Sequence, residues 1–265
     1  EYGRFANGII NVLTKSGTNK FHGSLFEYFR NDKFDANNWI SNSKALARAP
    51  LRQNDFGGTF GGPLVFPWFG EGTPGFWKGN KTFFFVSFEG LRLRLPQAKI
   101  FTVFSQTFRN AAHPQVRPLL EAVPLPNGAA LNANTGQFID AWSDPQTTDA
   151  YSVRVDHIFS KMTVFGRYHD SPSSSTNRGL APSSAEQNYM RTQTLTLGDT
   201  WLINSQWTND FRFNYTRSTG RGSAYLTTVG GAVPWNAGSY LPSFASAADS
   251  YLAIGFTGFH QKSRA

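Results

Sequence analysis

The chain has 265 residues, among them 25 Phe, 25 Gly, 9 Tyr and 7 Trp, with no Cys and a formal net charge of +8. The length suffices for one large β domain or two ordinary ones, and the missing cysteine excludes disulfides and thiolate metal sites while permitting an oxidising compartment. No stretch approaches the ~18 consecutive apolar residues of a membrane-spanning helix, which excludes a helical membrane protein. The positive charge does not mark a nucleic-acid binder, because Lys and Arg are scattered rather than gathered into a patch.

In chain order, Asn7 to Lys15 forms a short apolar run that ends in the turn-like Ser16-Gly17-Thr18-Asn19. Lys20 to Arg30 reads as a strand, with Leu25, Phe26, Tyr28 and Phe29 putting apolar groups on both of its faces. The Asn-, Ala- and Ser-rich stretch Asn31 to Gln53 reads as a loop. Asn54 to Phe66 alternates Phe56, Gly58, Phe60, Gly62 and Leu64 against Asp55, Gly57, Thr59 and Gly61. Glycines recurring in a strand point to close approach by another backbone or to a bend. A phosphate-cradling loop is the rival, but neither a GK[ST] ending nor a following helix accompanies them.

Pro67 to Asn80 carries Trp68 and Trp77 among Pro and Gly, and Lys81 to Leu91 is the next strand. Both faces of that strand are apolar at its start, which suits lipid on one side and a packed plug or loop on the other. Arg92 to Asp149 reads as a long surface loop with a helical turn within Val116 to Val123. From Ala150 a hairpin is predicted, with Val153, Val155 and His157 alternating against Arg154 and Asp156 before Ser160-Lys161, and Val164 and Tyr168 alternating against Phe165 and Arg167 after it. Asp170 to Gln187 is a Ser- and Pro-rich loop, and Asn188 to Arg217 supplies two further strands joined at Asn204-Ser205. In the second of them Phe211, Phe213 and Tyr215 alternate with Asp210, Arg212 and Asn214. Tyr251 to Phe259 begins one more run.

Seven strands follow from Lys20, and their connections alternate between long polar loops and tight turns. Outer-membrane barrels have this asymmetry, with long extracellular loops and short periplasmic turns. The predicted fold class is therefore all-β: an antiparallel transmembrane β-barrel fragment, an open curved sheet of about seven strands. Pro67 to Asn80 departs from the parity, since it falls on the turn side and is longer than a turn needs.

The polar strand positions Glu89, Arg154, Asp156, Arg167, Asp210, Arg212 and Asn214 are the predicted lumen wall, a hydrated surface in the first instance and a contact for plug movement or ligand passage in the second. Trp68, Trp77, Trp201 and Trp207 are the predicted interfacial girdle at the short-turn rim. Asp199 shares a face with Leu197 and Trp201 and is expected near a rim or after a bulge. The five histidines, His22, His113, His157, His169 and His260, have no metal-ligand spacing, and Asp156-His157 cannot start a triad because neighbours on a strand face opposite ways. Neither catalysis nor a metal or other cofactor is expected.

The segments EYGRFANGIINVLTKSGTNKFHGSLFEYFRND from Glu1, LRQNDFGGTFGGPLVF from Leu51 and NKTFFFVSFEGLR from Asn80 resemble the plug-to-barrel junction and first strands of TonB-dependent outer-membrane receptors, most of all their Oar-like group, which carries a carboxypeptidase-regulatory-like domain. VRVDHIFSKMTVFGRY, LGDTWLINSQWTNDFRFNYTR and IGFTGF resemble the same group. The resemblance implies that residues 1–19 are the end of a plug domain and 20–265 the N-terminal part of a barrel of about 22 strands. It implies placement in the outer membrane, contact with outer-membrane lipid, coupling to the TonB complex through a region upstream, and uptake of a ligand held by extracellular loops. Adhesion, anchoring, export or passive diffusion are the alternatives.

Overall fold

The computed structural model describes residues 14–37, 39–43, 47–68, 75–179, 181–244, 251–256 and 259–264. Seven strands form one antiparallel sheet in sequence order: β1 His22–Asn31, β2 Arg52–Trp68, β3 Gly75–Phe104, β4 Thr135–Ile158, β5 Met162–Arg178, β6 Ser184–Leu202 and β7 Thr208–Leu226. The sheet is open, with β1 and β7 as its edges. A separate hairpin pairs β8, Tyr251–Phe256, with β9, Phe259–Arg264, so the run predicted over Tyr251 to Phe259 divides between two strands.

The register sorts the side chains into two faces. On one, Phe60, Val86, Val153, Tyr168, Leu195 and Tyr215 stand in a single row across β2 to β7. Gly62, Phe84, Val155, Gly166, Leu197 and Phe213 make the next row. The large side chains of these rows are mostly exposed: Val153, Val155, Tyr168, Leu195, Leu197, Phe213 and Tyr215 among them. A continuous apolar face without protein cover has lipid as its natural solvent. Its upper limit is staggered, since the first outward charge sits at Arg52 in β2, Arg92 in β3, Asp149 in β4, Asp170 in β5 and Arg217 in β7. Glu27 on the edge strand β1 and Arg191 on β6 depart from the progression. A drift of about four to six residues across five strand spacings corresponds to strands tilted by about 30 to 40°, the tilt of a barrel wall.

Strands β2 to β7 are much longer than a membrane crossing of ~9–11 residues requires. β3 runs 30 residues and β4 runs 24, so Arg92–Phe104 and Thr135–Asp149 continue the ladder where a long loop is predicted. Likewise the loop predicted over Asp170 to Gln187 shrinks to residues 179–183. Pro96, Pro145 and Pro172 lie inside these extensions, which is why their composition reads as loop. The β4–β5 turn matches its prediction, with the Phe159 N–H donating to the Met162 carbonyl at 2.7 Å around Ser160-Lys161. The β6–β7 turn is wider than Asn204-Ser205: it spans Ile203 to Trp207, closed by the Ile203 N–H on the Trp207 carbonyl at 3.0 Å. The Asn204 side chain accepts from the N–H groups of Gln206 and Trp207, a local turn that asparagine favours.

A packed core sits at the end of the sheet that carries the long connections. Short helices α1, Trp39–Ser43, α2, Gln106–Ala111, and α3, Arg117–Glu121, lie there. Val103, Val123, Phe138 and Ala181 form a buried cluster joined by Phe101, Phe104 and Val229, and Ala122 with Trp235 forms a second. Three connections, β3–β4, β5–β6 and the segment after β7, are thereby tied together as a cap. Arg109 is buried in it and donates to the Val123 carbonyl at 2.6 Å; burial pulls its guanidinium below the ordinary value, and Glu121 opposes that pull. Gly230, at φ +59, turns the chain against the Phe138 ring, where a Cβ would stand 2.6 Å from the nearest ring carbon.

Candidate functional site

Opposite the apolar face lies a polar one, and all seven predicted wall residues are on it. Phe85, Arg154, Arg167, Thr196 and Asn214 share one row, and Phe83, Asp156, Phe165, Gly198 and Arg212 share the next. Glu89 stands between Gly57 and Ala150, and Asp210 beside Thr200. This follows from the period of two: with the aromatic positions fixed outward, every intervening residue must face the other way.

The strongest electrostatic feature is Arg154. Its guanidinium forks onto Asp156 at 2.7 to 3.1 Å, donates to the Thr14 hydroxyl at 2.6 Å and lies over the Phe165 ring at 4.1 Å. The side chains of Arg154 and Asp156 are only 15% and 9% exposed, unlike those of the Asp210–Arg212 pair on β7 at 58% and 46%. Arg167, directly across from Arg154, donates to the Ser152 hydroxyl at 3.0 Å. Such like charges repel at this spacing, and Asp156 neutralises one of them. Further along, Arg212 donates to the Asp199 carbonyl at 2.7 Å and the Asn214 amide reaches the Thr196 hydroxyl at 3.4 Å. Glu89 makes no ion pair among the described residues.

The reason for the burial of Arg154 is the segment Thr14 to Lys20, which crosses this face. Gly17 packs so closely onto β2 and β3 that a Cβ there would stand 2.2 Å from the Phe84 carbonyl oxygen and 2.9 Å from that of Gly62. Gly61 faces the crossing at ordinary contact distance, since a Cβ there would stand 3.6 Å from the Gly17 Cα, and it is kept small by the Phe85 ring and the Phe84 carbonyl oxygen at 2.9 and 3.0 Å. Phe83 and Phe85 flank the crossing and are each 8% exposed. So the aromatic residues on both faces of the β3 start have separate partners: Phe84 and Phe88 outward, Phe83 and Phe85 under the crossing segment. The recurring glycines of β2 marked the place, while nothing in the sequence singled out Thr14 as a partner of Arg154.

Trp201 and Trp207 stand at the short-turn end and are 46% and 68% exposed, with Phe159, Leu202 and Ile203 exposed near them. Trp68 pairs with Gly75 and Trp77 with Phe66 at the ends of β2 and β3, but the side chains of both tryptophans lie outside the described residues. Asp199 is on the apolar face between Val164 and Phe211, three residues before the end of β6, with an uninterrupted register on both sides. Its placement is therefore that of a rim, not of a bulge. No group of three or more His, Asp or Glu side chains with metal-binding geometry occurs among the described residues.

The model of the outer membrane beta barrel domain family matches residues 13–116 and 109–264, nearly the whole chain. The chain belongs to that family, and its place is the outer membrane. It is also similar to the TonB-dependent transporter Oar of Myxococcus xanthus, at 33% identity over 79 residues, 24% of this chain and 6% of that protein. The chain thus covers only a small part of that relative's length. No solved structure matches.

Proposed function

We propose that this outer-membrane β-barrel chain is part of the wall of a TonB-dependent transporter of the Oar-like group, in which a ligand is taken up through a lumen closed by a plug. The observation that carries the reading is the segment Thr14 to Lys20 laid across the polar face and held by Arg154 and the Gly17–Gly61 contact. A plug must rest on the wall of its barrel, and a segment bonded across the polar face supplies such a contact. The similarity to the Oar transporter supports the same reading. In this assignment residues 1–19 end the plug and 20–265 are barrel; the polar face with Glu89, Arg154, Asp156, Arg167, Asp210, Arg212 and Asn214 meets the water-filled lumen, and the apolar face meets lipid. Transport needs no catalytic group and no cofactor from these residues. The TonB complex engages a region upstream, and the long connections meet the ligand.

A surface role in adhesion or anchoring is the second reading, favoured by the packed cap that joins three long connections. Two measurements on the full-length protein separate the readings. In planar bilayers a plugged transporter stays closed, whereas steady conductance from the first insertion points to a porin. The immobilised periplasmic domain of TonB should retain the detergent-solubilised protein; failure to retain it, with closed bilayers, leaves the surface role.

A further inference from the structure

The apolar face carries a charge pattern that lumen transport does not use. Arg52 in β2 and Arg94 in β3 are directly opposite partners on that face, and Arg92 stands two residues below Arg94. Like charges opposed across an antiparallel ladder destabilise it. Arg92 is satisfied by the Asp149 carboxylate at 2.8 Å and lies 5.7 Å above the Phe56 ring. Arg52 and Arg94 are both exposed and make no ion pair among the described residues. Asn31 and Pro145 complete their row, so no carboxylate faces them from a neighbouring strand. The nearest other acid on this face is Glu27, two positions further down on β1.

Below these arginines the same face is hollowed. Leu25, Phe56, Gly58, Phe60, Phe88 and Tyr151 border an apolar depression of about 610 Å³ that begins one row beneath Arg92 and is floored by the β2 backbone at Gly58. An unpaired cationic couple at the headgroup level, set over an apolar channel at the acyl level, is the shape of a lipid with a phosphate on its head. Guanidinium groups bind phosphate through paired N–H donors, and two of them facing one another are well placed to share a single anion.

We propose that the outward face of β2 and β3 holds a phosphate-bearing lipid of the leaflet on the long-loop side, its phosphate between Arg52 and Arg94 and an acyl chain along the Gly58 depression. The proposal rests on the apolar face meeting lipid and is independent of what the lumen carries. Bound phosphate converts the Arg52–Arg94 repulsion into attraction, so the site is occupied whenever such a lipid is present. Free phosphate meets the same donors without the apolar channel and binds far more weakly.

The test uses the full-length protein in a neutral detergent, comparing the native chain with Arg52→Gln/Arg94→Gln. Unfolding temperature is followed with and without diphosphorylated lipid A, with the dephosphorylated form of the same lipid, and with inorganic phosphate. The native protein should be stabilised by several degrees by the phosphorylated lipid alone, and native mass spectrometry should show the adduct falling about tenfold in the variant. Because the substitution removes a repulsion, the variant should fold and be no less stable than the native chain in detergent alone. Equal stabilisation of both proteins, or equal stabilisation by the dephosphorylated lipid, overturns the proposal. So does a match between inorganic phosphate and the phosphorylated lipid, which would make the site a simple anion site. Should the double variant not fold, Arg94→Gln alone, which leaves Arg52 without its opposed charge, reads out the same difference. Closed bilayers and TonB retention report on the transport reading separately, so either conclusion can fail without the other.

Discussion

Removing Arg154 should release the segment that crosses the polar face. In Arg154→Ala the Asp156 carboxylate, 9% exposed, loses a two-pronged partner, and breaking a buried ion pair costs about 3–5 kcal/mol. The Arg154 side chain is still 15% exposed, and screening by solvent lowers the expected share to about 2–3 kcal/mol. The stacking of the guanidinium on Phe165, at 4.1 Å, adds about 1 kcal/mol. Neutralising the carboxylate as well recovers much of the loss, so the cycle with Asp156→Asn should show a coupling of about 1.5 kcal/mol or more. The assay is equilibrium unfolding of the full-length protein in detergent, paired with limited trypsin digestion, since Lys15 and Lys20 bracket the crossing. Cleavage at these lysines should rise about tenfold in Arg154→Ala and return towards the native rate in Arg154→Lys only in part, because a lysine lacks the fork. A loss under about 1 kcal/mol, or strict additivity of the two substitutions, would refute the idea that this pair anchors the segment.

The other expectations concern close contacts and the membrane rim. Gly17→Val places a Cβ 2.2 Å from a main-chain oxygen of β3, so the segment must lift; the same two lysines should become sensitive to trypsin while the strand content by circular dichroism stays unchanged. Gly230→Ala meets both a left-handed backbone and the Phe138 ring, and a cost of about 1–3 kcal/mol is expected. Hydrogen exchange should localise that loss to the cap, with faster exchange at residues 101–104 and 227–233 and none added in the apolar rows of β5 to β7. Trp201 and Trp207 should be quenched by lipids brominated near the headgroup and hardly at all by those brominated at the chain end; equal quenching at both depths would remove them from an interfacial girdle.

The alternation over Ala150 to Tyr168 and over Asn188 to Arg217 was legible because a membrane wall has two different solvents, and a period of two separates them residue by residue. That Arg154, Asp156, Arg167, Asp210, Arg212 and Asn214 share the face opposite the aromatic rows follows from that alone. Legibility failed beyond the apolar band, where one side of the ladder packs against the cap instead of lipid. Beyond Leu91 and before Asp149 the ladder continues for many residues, held by backbone hydrogen bonds that leave no mark in composition, and Pro96 and Pro145 there look like loop. The turn at Asn204 spans more residues than its composition suggests, because the Asn204 side chain adds bonds to the Gln206 and Trp207 N–H groups that hold a wider loop.

The sequence by itself determined which side chains share a face, since along a strand that is a matter of parity. Only the tertiary structure decided which residues meet across the sheet. Register placed Arg52 against Arg94 and Arg154 against Arg167, the crossing segment brought Thr14 and Gly17 onto residues more than forty positions away, and the cap joined three connections that are distant along the chain. Parity is a local property of the backbone, whereas these contacts depend on pairing offsets and chain paths that no single stretch encodes.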